Sequence, residues 1–186
     1  MVLKLILTTR RTDLGNWAVK RKGDNNMLKF KTYTPKKLLE AVKQNGYSLQ
    51  YVKAQTENVC IEAVKENGYS LRYVKDQTEN VCIEAVKQDG YNLRYVKDQT
   101  PDLCLEAVKQ KGDSLQYVKD QTENVCIEAV QQNGDSLQYV KDQTENVYIE
   151  AVKQDGYNLQ YVTLKSKAIL AIATVYIAEY TEFLNS

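Results

Sequence analysis

The chain has no histidine, only two prolines, and no apolar run near the ~18 residues that a bilayer span requires. Without His, its four cysteines lack the usual partner for a mixed zinc site, and they fall 22 apart instead of in close C-x-x-C pairs. No G-x-S-x-G turn and no phosphate-binding glycine loop occurs either. No catalytic set can be assembled from what remains, so the expectation is a non-enzyme without cofactor or metal. There is no Asn-x-Ser/Thr sequon, and the opening apolar stretch is too short and too interrupted by Lys4 for a secretory signal. Cysteines without such a signal fit a reducing compartment, so an intracellular, cytoplasmic, membrane-free protein is expected.

What is present fits a soluble globular class: 186 residues, 43% apolar and 26% charged. The net charge of +1 hides a division. Residues 1–37 carry ten Lys and Arg against Asp13 and Asp24, a balance of +8, whereas the remainder carries fifteen against twenty-two, −7. The basic head, with Arg10, Arg11, Lys20, Arg21 and Lys22, could face nucleic acid, anionic lipid or an acidic protein flank, or could simply be solvated.

One 22-residue unit dominates the chain, starting at Thr34, Thr56, Thr78, Thr100, Thr122 and Thr144. Repetition at a short fixed period indicates a stacked array whose units bury their apolar faces on their neighbours. In the unit from 56 to 77, Thr56 suits a helix N-cap. Both prolines, Pro35 and Pro101, follow that Thr directly, at the first helical position where a missing N–H costs nothing. Elsewhere Glu57, Glu79, Glu123 and Glu145 hold that place, favourable at the positive end of the helix dipole. Val59, Cys60, Ile61, Ala63 and Val64 then cover an arc of roughly 200° at helical spacing. Gly68, with Gly46, Gly90, Gly112, Gly134 and Gly156 in the other copies, suits a left-handed residue closing a helix of about ten residues.

A second element follows, from Ser70 to Lys75, with Ser or Asn at its first place in every copy as a cap. Leu71 and Val74 lie one turn apart, which predicts a helix of one and a half to two turns. The rival reading takes Tyr69, Leu71 and Tyr73 as strand alternation, giving the strand-plus-helix horseshoe of leucine-rich repeats. Gly68 and Thr78 stand where that pattern requires leucines, so an all-α solenoid of helix pairs is preferred.

The predicted organisation is a degenerate basic cap over 1–33, six repeats over 34–165 and an apolar capping helix over 166–186. In the first segment Trp17, Ala18 and Val19 echo the first helix of a repeat, with Met27, Leu28 and Phe30 in a second. In the last, residues 168–178 carry no charge, and Ile169, Ile172, Tyr176 and Tyr180 could form a docking face for self-association or a partner.

Three ladders recur at the repeat spacing. Cys60, Cys82, Cys104 and Cys126 read as small buried side chains, since stacked helices stand about 9–10 Å apart and a disulfide reaches only ~7 Å between Cα atoms. Tyr51, Tyr73, Tyr95, Tyr117, Tyr139 and Tyr161 read as packing aromatics with the hydroxyl toward water. The Glu40 to Glu150 ladder reads as inter-repeat hydrogen bonds or a solvated stripe, because six copies of one environment cannot separate acid from base.

The phrase from Glu40 to Val52 (Glu-Ala-Val-Lys-Gln-Asn-Gly-Tyr-Ser-Leu-Gln-Tyr-Val), followed by Thr-Glu-Asn-Val-Cys-Ile-Glu-Ala-Val, resembles a repeat family of unknown function. That family is common in giant DNA viruses of amoebae and occurs in protists and bacteria. The resemblance covers roughly residues 34–165 and implies an α-helical solenoid in host cytoplasm or virion, with no catalytic residues.

The leading expectation is therefore a scaffold that binds a protein partner through positions that vary between copies. These are Tyr47, Tyr69, Tyr91 and Tyr157 against Asp113 and Asp135, and Gln50 against Arg72 and Arg94. The alternatives are a self-assembling structural component joined through the C-terminal helix, and nucleic-acid binding confined to the basic N-terminal segment.

Overall fold

The computed structural model describes residues 5–6, 17–21, 31–163 and 174–175. Residues 34–163 hold the six expected repeats, and each is a helix pair. The α-helices are α1 (Pro35–Gln44), α2 (Glu57–Glu66), α3 (Glu79–Gln88), α4 (Pro101–Gln110), α5 (Glu123–Gln132) and α6 (Glu145–Gln154). Each is followed by a six-residue 3₁₀ helix: η1 (Gly46–Tyr51), η2 (Gly68–Tyr73), η3 (Gly90–Tyr95), η4 (Gly112–Tyr117), η5 (Gly134–Tyr139) and η6 (Gly156–Tyr161). This is the class of an all-α solenoid. The strand-plus-helix alternative is overturned, since Tyr69, Leu71 and Tyr73 lie in a helix.

Local chemistry accounts for each start. The Thr56, Thr100 and Thr122 hydroxyls accept from the backbone N–H of Val59, Leu103 and Val125 at 3.3–3.4 Å. Pro35 and Pro101 occupy the first helical turn, as expected. Along α2, Val59, Cys60, Ala63 and Val64 are buried, with Leu71 and Val74 from η2 completing the core of that repeat.

The glycines correct the expected helix end. The α-helices close on Asn45, Asn67, Asp89, Lys111, Asn133 and Asp155, all in extended backbone, and each glycine opens the 3₁₀ helix after them. What demands glycine is close approach. A β-carbon at Gly112 would stand 2.5 Å from the Ala129 carbonyl oxygen of the next repeat, and Gly46 and Gly90 face Ala63 and Ala107 in the same way. The second element's cap is likewise displaced from Ser to the residue before glycine. Asn45 and Asn67 accept from the backbone N–H two residues on, both at 3.0 Å. Ser70, Ser114 and Ser136 lie inside the 3₁₀ turn and are fully buried.

The chain divides into two compact units, Met1–Gln88 and Asp89–Ser186. In the first, α1 packs on α2, α2 on α3, and η1 on η2. In the second, α4 packs on α5 and α5 on α6, while η3 through η6 pack in sequence. The first unit also holds a small antiparallel sheet in the order β1 (Leu5–Ile6), β2 (Trp17–Arg21), β3 (Lys31–Tyr33). Trp17 pairs with Tyr33 and Val19 with Lys31. The degenerate helix expected at Trp17, Ala18 and Val19 is thus a strand, in keeping with the strand preference of Trp, Val, Thr and Tyr. Met27, Leu28 and Phe30 lie outside the described residues. So does the expected C-terminal helix, apart from Thr174 and Val175, which are helical.

Candidate protein-interaction face

The variable slots sit on the 3₁₀ helices. In the first unit Tyr47, Gln50, Tyr69 and Arg72 are all exposed. Tyr47 meets Tyr73 edge to face, with ring centroids 6.3 Å apart, and the Arg72 guanidinium lies 5.1 Å over the Tyr73 ring. Gln50 instead donates to the Tyr47 carbonyl of its own turn at 3.0 Å. The Gln/Arg alternation therefore has a physical sense: Gln closes on its own turn, while Arg covers an aromatic ring.

The second unit gathers its slots into a polar junction. The Tyr91 hydroxyl donates to Asp113 at 3.5 Å, and Asp113 also accepts from Asn133 Nδ2 at 2.9 Å and Ser136 Oγ at 3.0 Å. Asp113 is thus a half-buried tie among three repeats. Loss of solvent contact, and then the Asp113 charge, raise the Tyr91 phenol above its ordinary pKa. Arg94 lies over the rings of Tyr95 at 4.8 Å and Tyr117 at 5.8 Å, and Lys111 lies 4.0 Å over Tyr91. Asp135 and Tyr157 remain exposed, Tyr157 at 76%.

The other candidates are not brought to this face by anything described. Lys20 and Arg21 belong to β2, with Lys20 paired to Ile6 and Arg21 to Leu5. Arg10, Arg11, Lys22, Ile169, Ile172, Tyr176 and Tyr180 lie outside the described residues.

Sequence reasoning missed the glutamine that ends each link. Gln121 Nε2 donates to the Leu115 carbonyl of its own repeat at 3.2 Å and to the Tyr139 carbonyl of the next at 2.9 Å. Its Oε1 accepts from the Lys141 N–H at 2.9 Å and from the Cys126 thiol at 3.9 Å. Gln55 and Gln99 repeat this set, and Gln143 repeats its backbone bonds with Thr163 in place of the Lys, Tyr148 standing where the others have the cysteine. Gln77 likewise donates to the Leu71 carbonyl of its own repeat at 3.4 Å and accepts from the Cys82 thiol of the next at 3.9 Å. A short link that reads as filler is a two-way amide rung. The available signal was its sameness: Gln occupies this place in five links, while its neighbour changes from Asp to Ala54.

The ladders resolve around these rungs. The cysteines are buried and not joined in disulfides, and burial pushes the Cys60 and Cys126 thiols up to about 11, with Cys104 raised for the same reason. Little thiolate exists near neutral pH, which disfavours a redox role. The Glu ladder makes contacts between repeats, Lys43 with Glu62 at 3.2 Å and Gln131 with Glu150 at 3.1 Å, and also within a repeat, Lys65 with Glu62 at 3.8 Å, Lys153 with Glu150 at 3.6 Å and Gln110 with Glu106 at 3.3 Å. Glu123 accepts from the Thr144 hydroxyl and from Asn146 of the next repeat, and these bonds hold its carboxyl below the ordinary value. Among the described residues no group of His, Cys, Asp and Glu is placed to hold a metal ion, and no helix is long and apolar enough to cross a membrane.

Neither a curated protein nor a solved structure matches the chain. A family described as a domain of unknown function, DUF4116, matches residues 37–78, 56–100, 78–122 and 100–145, each window overlapping the last. The windows together span more than half of the sequence and advance with the 22-residue unit whose rungs are described above. The chain belongs to the DUF4116 family, as a tandem array of its repeats.

Proposed function

We propose that the chain is a non-enzymatic scaffold that binds a protein partner through the exposed side chains of its 3₁₀ helices. The observation that carries this reading is the set of exposed tyrosines. Tyr47, Tyr69 and Tyr157 are 38%, 37% and 76% exposed, while the aliphatic side chains of the same turns are buried or half-buried. Tyrosine in such positions supplies rigid contact area with a polar tip, the chemistry enriched at binding hot spots. Arg72 and Arg94 add cations held in place over aromatic rings. The setting that accords with the resemblance to giant-virus repeats is host cytoplasm or virion.

The test is affinity capture from the native host with the full chain against a Tyr47→Ser/Tyr69→Ser/Tyr157→Ser variant. Tyr157 should cost no more than about 0.5 kcal/mol and Tyr47, through its contact with Tyr73, about 1 kcal/mol, so the variant should still fold, melt slightly lower and lose the partner. A partner retained in full by the variant would sink the reading. Light scattering of the purified chain addresses self-assembly, for which a monodisperse monomer at high concentration is the negative result.

A further inference from the structure

Three Asn-Gly pairs recur at one place in the repeat: Asn45–Gly46, Asn67–Gly68 and Asn133–Gly134. Asn-Gly is chemically the most labile asparagine pair, because glycine leaves its own nitrogen open to approach the preceding carboxamide. The nitrogen gives its proton to solvent base and attacks Cγ. The Cγ–Nδ2 bond breaks and ammonia leaves, forming a succinimide. Water then opens the ring at one carbonyl or the other, to aspartate or isoaspartate, with no change of oxidation state.

All three asparagines share the same extended backbone, φ −150 to −158° and ψ 106 to 111°, so local conformation does not distinguish them. The attacking nitrogen does. The Gly46 N–H is donated to Glu66 Oε2 of the next repeat, and the Gly68 N–H to Gln88 Oε1 at 3.0 Å. A nitrogen held in this way must first give up its bond. For Gly134 the equivalent residue is Gln154, and among the described residues no acceptor is bonded to the Gly134 N–H.

The consequence of conversion also differs. Asp already serves at this place as Asp89 and Asp155, capping Tyr91 and Tyr157 at 3.0 and 2.8 Å, so the aspartate product at Asn45 or Asn67 keeps the turn. Asn133 is different because its Nδ2, the nitrogen that departs, is the donor to Asp113. The product sets a carboxylate against the Asp113 carboxylate, where a charge-assisted bond had been.

We propose that Asn133–Gly134 is a modification site of this protein, at which deamidation proceeds ahead of the other two pairs and releases the Asp113 junction.

The test is incubation of the folded full chain at mildly alkaline pH, with deamidation at each asparagine followed by peptide mass spectrometry. Asn133 should convert several-fold faster than Asn45 and Asn67 in the native protein, and the three rates should converge in denaturant. Equal native rates, or an order that persists after unfolding, would overturn the proposal. Glu66→Ala frees the Gly46 N–H and should bring Asn45 up to the Asn133 rate, while an unchanged Asn45 rate in a folded variant contradicts the mechanism. Should that variant not fold, the native and denatured rates of the parent still decide. Asn133→Asp should melt lower than Asn45→Asp, and equal melting would refute release of the junction.

Discussion

Gln99, Gln121 and Gln143 make one bonding pattern three times, whereas Tyr91, Asp113 and Asp135, at a single slot of the same unit, behave in three different ways. The rung addresses backbone groups of two repeats at once. Backbone N–H and C=O are present whatever the sequence and must be paired when buried, so only one side chain of the right length suffices. The slot addresses side chains and solvent, so it tolerates Tyr, Asp or a stacked cation. Constancy marks where repeats are joined, and variation marks where the surface is free to specialise.

That contrast can be broken most severely at the rung. Gln121→Leu keeps the volume but abandons Leu115 O, Tyr139 O and the Lys141 N–H; at roughly 1 kcal/mol for each group left unpaired, denaturant unfolding should show a loss of about 3 kcal/mol. Next comes the glycine contact. Gly112→Ala places a β-carbon 2.5 Å from the Ala129 carbonyl, and overpacking of this kind costs about 1–3 kcal/mol, readable as a drop in melting temperature. The slot should respond less. Asp113→Ala removes the acceptor for Ser136 and Asn133, and a loss of about 1–2 kcal/mol is expected from those unmet groups, while Asp135→Ala should be near neutral.

The smallest effect, nil at neutral pH, lies in proton binding. Cys60 and Cys126 titrate near 11 when folded against an ordinary 9.0. The folded state therefore favours the neutral thiol. That contribution is intact below pH 9, and stability should fall as pH rises from 9 toward 11, where the unfolded thiols lose protons first. A melting series on the parent and on a variant with alanine at Cys60, Cys82, Cys104 and Cys126 isolates the effect. An identical alkaline slope in both would deny it.

The parts legible in sequence were those fixed by neighbours along the chain. Thr56 as a cap, Pro101 at the first turn and the apolar arc from Val59 to Val64 follow from helical geometry alone. The glycines were located but misread, because glycine answers both to positive φ and to close approach, and only the position of the Ala129 carbonyl distinguishes them. Gln121 is not legible as a joint because its partners lie 18 and 20 residues ahead, on backbone atoms that leave no trace in residue identity. Trp17 to Arg21 imitates a repeat in spacing, yet its β-forming residues pair with Lys31–Tyr33 instead. Asp113 was recognised as variable, but its ties to Tyr91, Asn133 and Ser136 required the folded register.

The rung also bears on heredity. Within each unit its backbone bonds refer only to one fixed position of a repeat's own chain and to two fixed positions one copy ahead. A gene that gains or drops a whole copy in frame, away from the unit's ends, therefore regenerates each rung with no compensating substitution. Recombination between near-identical copies can lengthen or shorten the protein in whole steps of 22 residues, while partial steps destroy the register and are eliminated.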